Sequence, residues 1–339
     1  MLVVRALVVP AAAGTPIKSH DTEARRIEAQ LRGLRRYAIP TPSSAPYAIA
    51  RGPFGDLWFV ENNAWKIARI SMTGTIQEFK LPPPTQQFHQ LAGITTGADR
   101  NIYITADEWT CGRRGCFYSG NVYKALPGSG TPVLTFGGGT FPSGITSGPD
   151  GNLWFGDEGG GTGGAVGEMT TSGSLTEFGT TAQVSDVVTG SDGNVWFSEL
   201  DFPNFVFVPG IGSVTPGGLI TLFPTPSGLY PGGVCEGPDD NVWFTEATNG
   251  ASAVGKITPS GTFTEFPTPT AGAMGDITTG RDGNLWFTEV GAGKIGRITS
   301  QGVVTEFAVG GEPYGITSGP DGDIWFTDVT GNTVGKFRP

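Results

Sequence analysis

The sequence predicts an all-β protein, a single seven-bladed β-propeller with four-stranded blades. A phrase that is clearest at residues 277–289 (ITTGRDGNLWFTE) occurs seven times, followed by a KIGRITSQG-like and a TEF-like segment. Its aromatic anchors are separated by 45, 51, 42, 47, 43 and 39 residues and fall at Trp58, Tyr103, Trp154, Trp196, Trp243, Trp286 and Trp325. A period in this range, with an aromatic residue and a Gly-Asp turn in each unit, is typical of propeller blades.

The sixth repeat shows how one blade is built. Its GRDGN segment predicts a tight hairpin, because Asp supplies a local hydrogen bond and Gly a positive φ. The segment after the turn mixes aromatic and aliphatic residues, as in a strand whose two faces are both buried. We expect four strands, at residues 276–279, 285–289, 294–299 and 303–307.

The two ends of the repeat array are complementary. The seventh repeat stops at Pro339 without an outer strand, whereas residues 36–42 (RYAIPTP) resemble an outer strand that no blade precedes. We expect the N-terminal strand to close the last blade, which removes the exposed sheet edges that favour aggregation.

Composition agrees with one folded ring at residues 36–339. The 55 Gly and 26 Pro suit a turn-rich β protein, and eight Trp with 21 Phe exclude low-complexity disorder. The net charge is −10, and residues 1–36 hold seven Lys or Arg against three acids, so the remainder carries −14. Such a body is a poor nucleic-acid binder.

Residues 1–35 form a separate N-terminal extension. Apolar runs at residues 1–13, interrupted by Arg5, give a weak secretion signal that is too short to span a membrane. Residues 21–36 predict a basic amphipathic helix, either a solvated appendage or a docking element. Localisation stays open, with a secreted or periplasmic site favoured over the cytoplasm.

The three cysteines form a pair and a singleton. Cys111 and Cys116 flank GRRG in a long loop of the second repeat, which allows a disulfide or two free thiols. A zinc site is disfavoured because no second Cys pair or His lies beside them in the sequence. Cys235 lies in an inner strand, where a buried, inert thiol is expected.

The variable connections identify a binding face. They follow the second strand of each blade, at residues 107–121, 158–165, 200–205 and 247–253, and share one face with the linkers that enter the inner strands. Insertions on one face favour ligand binding there. The aromatic candidates are Tyr47, Trp65, Phe88, Trp109, Phe117, Tyr118, Phe141, Phe202, Phe205, Tyr230 and Tyr314. The acidic candidates are Asp107, Glu108, Asp157, Glu158, Asp186, Asp201, Asp276, Glu312 and Asp328.

Aromatic and polar groups together suit an amphipathic, ring-containing ligand, although many of these rings could instead pack loops onto the ring. Acids that recur three residues after the anchor, such as Asp328, are expected to tie loops together. The informative departures from the repeat are Asp186, Asp276 and Glu312, where other blades mostly have different residue types.

The repeats resemble the virginiamycin B lyase family of seven-bladed propellers. The resemblance rests on PYGITSGPDGDIWFTD, KIGRIT, TEFPTPT and the incomplete last blade, and it covers residues 36–339. It implies a magnesium-dependent carbon–oxygen lyase that linearises a cyclic depsipeptide antibiotic and so confers antibiotic resistance. The family's Glu-Pro-His entering blade seven corresponds to Glu312-Pro313-Tyr314, and its Tyr entering blade one to Tyr47.

The family's remaining site residues are replaced. Its blade-six His falls on Gly275, and its last Glu falls on Val329, beside Asp328. Proton removal next to a carbonyl needs a base with a pKa near the working pH, and a tyrosine is a poor substitute for His. Glu312 and Asp328 could still hold a hydrated Mg²⁺.

We therefore expect a monomeric propeller that binds a small molecule or cyclic peptide through Tyr47, Trp109, Asp186, Tyr230 and Asp276, without the elimination chemistry. One alternative is an active lyase in which Glu312 and Asp328 hold magnesium and Tyr314 assists. A second is a secreted scaffold that binds protein partners, favoured if Cys111 and Cys116 are bonded.

Overall fold

The chain folds as the predicted propeller. The computed structural model describes residues 33–113, 115–128, 132–137, 141–159, 163–180, 182–201, 208–248 and 250–339. Within them, strands form seven four-stranded sheets, arranged as seven blades around a common axis. The predicted signal segment and most of the basic helix lie outside the described residues. In the part of the chain that is described, no helix has the length and apolar character needed to cross a membrane.

Strands are numbered in chain order. The innermost strands are β2 (Pro46–Arg51), β6 (Phe88–Thr96), β10 (Pro142–Ser147), β14 (Ala182–Thr189), β18 (Tyr230–Glu236), β22 (Ile277–Thr279) and β26 (Pro313–Ser318). The second strands are β3 (Leu57–Glu61), β7 (Ile102–Gly112), β11 (Leu153–Asp157), β15 (Val195–Asp201), β19 (Val242–Thr248), β23 (Leu285–Glu289) and β27 (Ile324–Asp328). The third strands are β4 (Lys66–Ile70), β8 (Gly115–Ala125), β12 (Ala165–Met169), β16 (Val208–Val214), β20 (Ala251–Ile257), β24 (Lys294–Ile298) and β28 (Thr333–Phe337). The outer strands are β5 (Ile76–Lys80), β9 (Pro132–Gly137), β13 (Leu175–Gly179), β17 (Ile220–Pro224), β21 (Phe263–Pro267), β25 (Val304–Ala308) and β1 (Arg35–Ala38).

The N-terminal strand completes the seventh blade, as predicted. β1 pairs antiparallel with β28, with Arg36 opposite Gly335. The Arg36 guanidinium forms an ion pair with the buried carboxylate of Asp328 and donates to the carbonyls of Val309 and Gly310, at 2.5 and 3.2 Å. A strand pairing and an ion pair between the partly exposed Arg36 and the buried Asp328 therefore contribute to closing the ring.

The anchor residues form the packing between blades. All six anchor tryptophans and Tyr103 are at most 1% exposed. In blade six, the Trp286 ring stacks on Phe307 with centroids 5.5 Å apart, and its Nε1 donates to Asp282 of the GRDGN turn at 3.2 Å. In blades two to seven the anchor side chain donates to the Asp of its turn in this way, so these carboxylates serve a structural purpose.

The second blade differs from its prediction. The expected long loop at residues 107–121 is instead an extension of β7 and β8, which pair along eleven residues each. Cys111 and Cys116 form a disulfide at the tip of this hairpin. Cys235 is a buried free thiol, as expected.

Candidate functional site

A cavity of about 670 Å³ lies on the propeller axis. Every blade contributes to its wall through residues in or just before its innermost strand. These contributors include Tyr47, Gln90, Ser143, Asp186, Gly233, Asp276 and Tyr314. A volume in this range accommodates a drug-sized ligand.

β-bulges direct side chains into the cavity. The pairing of inner and second strands shifts register between Pro46 and Ile49, between Val184 and Asp186, and between Pro313 and Ile316. A bulge places extra residues on one strand and changes the direction of their side chains, and bulges are common next to functional sites. The residues at these irregularities include Tyr47, Asp186 and Tyr314.

Tyr47 and Tyr314 form a stacked pair in the wall. Their ring centroids are 3.9 Å apart at an interplanar angle of 26°. Burial is the main cause that raises the pKa of both hydroxyls, and the negative charges of Asp276 and Glu158 contribute to the increase. Both tyrosines are therefore neutral at physiological pH, so Tyr314 lacks the basicity that the family's histidine would supply.

Asp186 and Asp276 face the same cavity from blades four and six. The Asp186 carboxylate accepts the amide of Val234 at 2.9 Å, and the Asp276 carboxylate accepts the amides of Ile277 and Ile316 at 2.7 and 3.4 Å. Burial raises the pKa of Asp186 to about 6. Burial and then the charge of Asp186 raise the pKa of Asp276 to about 8. Both carboxyl groups therefore titrate close to neutral pH.

A second pair of acids, Asp107 and Glu158, lines the cavity from blades two and three. Asp107 is only 8% exposed, and its Oδ1 has no hydrogen-bond partner among the described residues. Burial, followed by the charges of Glu158 and Asp157, raises the pKa of Asp107 to about 8. Burial and the charge of Asp157 likewise raise the pKa of Glu158.

Trp109 is part of an aromatic cluster between the cavity and solvent. Its ring stacks on Phe88 with centroids 5.6 Å apart and lies 6.0 Å from the ring of Phe141, which also lines the cavity. Phe141 in turn contacts Tyr118 at 4.6 Å. The structure thus brings Trp109 into the site as a half-buried wall residue, although part of its packing is with neighbouring loops.

Glu312 and Asp328 lie outside the cavity lining. The Asp328 carboxylate is paired with Arg36 and accepts the amides of Glu312 and Gly331, at 3.0 and 2.9 Å. Glu312 is exposed and contacts Asp328 through its backbone. The described contacts of Asp328, one cation and two amides, give no support to a magnesium site at this pair, and that site stays a prediction.

Metal binding finds no support elsewhere in the described chain. Among the described residues, no three or more His, Cys, Asp or Glu side chains are grouped closely enough to hold a metal ion. We therefore derive no chemical step from a metal.

Gly275, at the position where the resemblance implies a histidine, is so closely packed that a side chain there would force a neighbour to shift. A Cβ there would lie 2.5 Å from the Thr288 hydroxyl oxygen. That hydroxyl donates to the Tyr314 carbonyl at 2.6 Å, so a shift of Thr288 would cost this hydrogen bond between blades six and seven.

The remaining predicted aromatic residues are divided among several places. Tyr230 lines a second, open cavity of about 940 Å³ that shares only Met274 with the central one. Trp65 is buried and donates to the Pro82 carbonyl at 2.6 Å, so it packs a loop. Phe202 and Phe205 lie outside the described residues.

Several cavity residues were not singled out from the sequence as ligand contacts. Gln90, Ser143, Met274 and the alternating small residues of the inner strands line the wall. These residues share a position two to five residues into a linker or inner strand. The sequence does not show that their side chains point toward the cavity, because that direction depends on the bulge. Asp107 and Glu158 were recognised as acids of this face but not as members of one cavity.

Comparisons with known proteins agree with this geometry. The model of the virginiamycin B lyase family matches residues 18–202 and 135–339. Virginiamycin B lyase from Staphylococcus aureus is 29% identical with a TM-score of 0.74, the match covering 90% of this chain and 99% of that one. A catalytically inactive variant of the same enzyme with quinupristin is 29% identical over 90% of this chain and 99% of that chain, with a TM-score of 0.71. A streptogramin B lyase structure is 28% identical over 89% of this chain and 96% of that chain, with a TM-score of 0.70. No curated protein matches the sequence.

Proposed function

We propose that this chain, which belongs to the virginiamycin B lyase family, binds an amphipathic, ring-containing ligand in its central cavity. We propose further that it lacks the elimination chemistry of the family. Family membership follows from the match of the family model to residues 18–202 and 135–339. The ligand class includes small molecules and cyclic peptides.

The proposal rests on the residues that occupy the two positions where the resemblance implies a catalytic histidine. Tyr314 stands where the resemblance implies a histidine, and its pKa is raised by burial beside Tyr47. Gly275 stands at the second of these positions, where a side chain would force a neighbour to shift. General acid–base assistance contributes about 10²- to 10⁴-fold to such reactions, and the groups that would provide it are absent from these two positions.

The cavity supports ligand binding independently of catalysis. Its wall combines the rings of Tyr47, Trp109, Phe141 and Tyr314 with a few carboxylates. Apolar and aromatic surface with a small number of placed polar groups is typical of small-molecule sites.

An active lyase is the second candidate, and one observation favours it. Asp276 lines the cavity next to Gly275, and burial together with the charge of Asp186 raises its pKa to about 8. A carboxylate with such a pKa is a competent general base near neutral pH. In this alternative, Asp276 takes over the proton abstraction of the missing histidine.

A protein-binding scaffold is the third candidate. Phe88, Phe117 and Tyr118 are 42%, 67% and 36% exposed around the disulfide-linked hairpin. Exposed aromatic groups of this kind are enriched at protein interfaces.

Calorimetric titration with a type B streptogramin tests ligand binding. Trp109→Ala removes one ring of the wall, and we expect it to weaken binding by about tenfold or more, as for central aromatic contacts elsewhere. Phe54→Ala is the matched control, because Phe54 is 63% exposed and does not line the cavity. Absence of binding, or equal affinities for the two variants, would refute the cavity as the site of this ligand.

A further inference from the structure

The central cavity is lined by acidic side chains and by no basic one among the described residues. Four carboxylic acids line it, from blades two, three, four and six: Asp107, Glu158, Asp186 and Asp276. Among the described residues that form its wall, there is no Lys, Arg or His. Two of the acids, Asp186 and Asp276, receive backbone amides but no side-chain cation.

One of these carboxylates is incompletely satisfied. Asp107 is more than nine-tenths buried, and its Oδ1 has no hydrogen-bond partner within the described chain. An unpaired buried carboxylate oxygen is costly, and a polar group left in this state calls for a specific explanation. Because the residue lines the cavity, a donor from a bound ligand would satisfy it.

The other wall elements suit the same kind of ligand. The faces of aromatic rings attract cations electrostatically, and the cavity presents the rings of Tyr47, Trp109, Phe141 and Tyr314. Acids combined with aromatic faces are a typical environment for ammonium groups.

We infer that the central cavity selects a cationic, ring-bearing organic molecule, an amine or quaternary ammonium compound, whose positive charge lies among Asp107, Glu158, Asp186 and Asp276. This inference rests on the proposed function, because it concerns the same cavity and specifies the charge of its ligand.

An organic cation fits this cavity better than a metal ion does. The described acids do not converge in any group of three or more that could coordinate a metal. The volume of about 670 Å³ also exceeds by far the space that one ion needs, whereas it suits a molecule with several rings. The charge is therefore spread around the wall, as a large cation requires.

Three probes of matched shape and different charge test the inference: naphthylmethyl-trimethylammonium, naphthylmethanol and naphthylacetate. We expect calorimetric titration of the full chain at pH 9, above the pKa of about 8 that burial gives Asp107 and Asp276, to show the cation binding about tenfold tighter than the alcohol, since a cation–π contact and an ionised carboxylate both favour it. The anion is expected to bind most weakly. Equal affinities for cation and alcohol, or tighter binding of the anion, would overturn the inference.

Two neutralising variants locate the charge. At the same pH, Asp107→Asn and Asp276→Asn are each expected to reduce the preference for the cation over the alcohol by about threefold or more. Asp240→Asn is the control, because it removes one exposed charge outside the cavity. If Asp240→Asn lowers the preference as much as the cavity variants do, net charge and not the cavity is responsible.

The test of charge selectivity and the test of the proposed function can fail independently of each other. Streptogramin binding without a preference for the naphthyl cation refutes the charge selectivity alone. A cation preference without streptogramin binding leaves the charge selectivity in place and excludes that antibiotic as the ligand.

Discussion

The rings of Tyr47 and Tyr314 stack with their centroids 3.9 Å apart and join the first and last blades in the wall of the central cavity. Tyr314 thereby fills the position at which the resemblance implies a catalytic histidine. Its burial, which raises the pKa of the hydroxyl, makes it a wall residue and not a base. The packing around Tyr314 also limits which substitutions the cavity wall tolerates, and Gly275, next to Asp276, is an example.

Gly275→Ala should destabilise the fold by about 1 to 3 kcal/mol, because the new methyl group meets the buried Thr288 hydroxyl. Gly272→Ala, in the same loop, has nothing within 4 Å of the new Cβ and is the control. Urea unfolding of both variants measures the difference. Equal stabilities would show that the wall yields easily, and that a histidine at Gly275 could be introduced without other changes.

Arg36→Ala should lower stability by about 1 to 3 kcal/mol, because the buried Asp328 carboxylate loses its cation. Arg35→Ala, on the exposed side of the same strand, is expected to stay within about 0.5 kcal/mol of the wild type. Thermal unfolding of truncations provides an independent check: removal of residues 1–43 should be strongly destabilising, and removal of residues 1–33 should not. The ring-closure account fails if the two truncations melt at the same temperature.

Trp286→Ala should cost about 3 to 5 kcal/mol, because it removes a fully buried ring from between two sheets. Trp109→Ala should cost less, because Trp109 is only half-buried and a surface change costs under about 1 kcal/mol. Its contacts with Phe88 and Phe141 increase the expected cost to about 1 to 2 kcal/mol. Chemical denaturation ranks the two variants, and the reverse order would mean that the blade register is wrong.

Stability should depend on pH through Asp276. Its folded pKa of about 8 lies above the ordinary value of 3.8, so the folded state keeps a proton that the unfolded state releases. The free energy of unfolding therefore decreases as the pH rises from 3.8 to about 8, by up to about 1.4 kcal/mol per pH unit. Asp186, Tyr47, Tyr314 and Cys235 interact with the same carboxyl group.

Asp276→Asn isolates the effect. We expect its stability relative to the wild type to increase from pH 5 to pH 8 in chemical denaturation, whereas the exposed control Asp240→Asn keeps a constant difference. A constant difference for Asp276→Asn as well would show that this carboxyl group is ionised throughout the range.

The repeat explains why the fold could be predicted closely. In the sixth blade the second strand is found at Leu285–Glu289, as expected, and the other strand ends differ by at most one residue. Every blade repeats the same turn and the same aromatic anchor, so seven local sequence patterns, each weak by itself, predict one structure. The prediction of a loop at residues 107–121 was wrong because their register continues a hairpin that no other described blade extends as far.

The site could be predicted only in part. Asp186 and Asp276 were identified because they interrupt a repeat of small residues, and both line the cavity. Asp328 belongs to the recurring acids that tie loops, yet it was also expected to hold a metal. Its pairing with Arg36 depends on a strand almost 300 residues away in sequence, a contact that local patterns do not contain. The inward direction of Tyr47 likewise depends on a bulge that the sequence does not reveal.

The central claim is tested most directly by incubating a type B streptogramin with the purified protein and Mg²⁺ at neutral pH and measuring by chromatography whether it is converted to the linear product. We predict that the cyclic antibiotic remains intact over hours while it still shifts the melting temperature of the protein, as a ligand that binds the folded state does. Conversion to the linear product would contradict the account. Loss of that conversion in Asp276→Asn would assign the base to Asp276, and loss in Glu312→Gln would establish the lyase that the family resemblance implies.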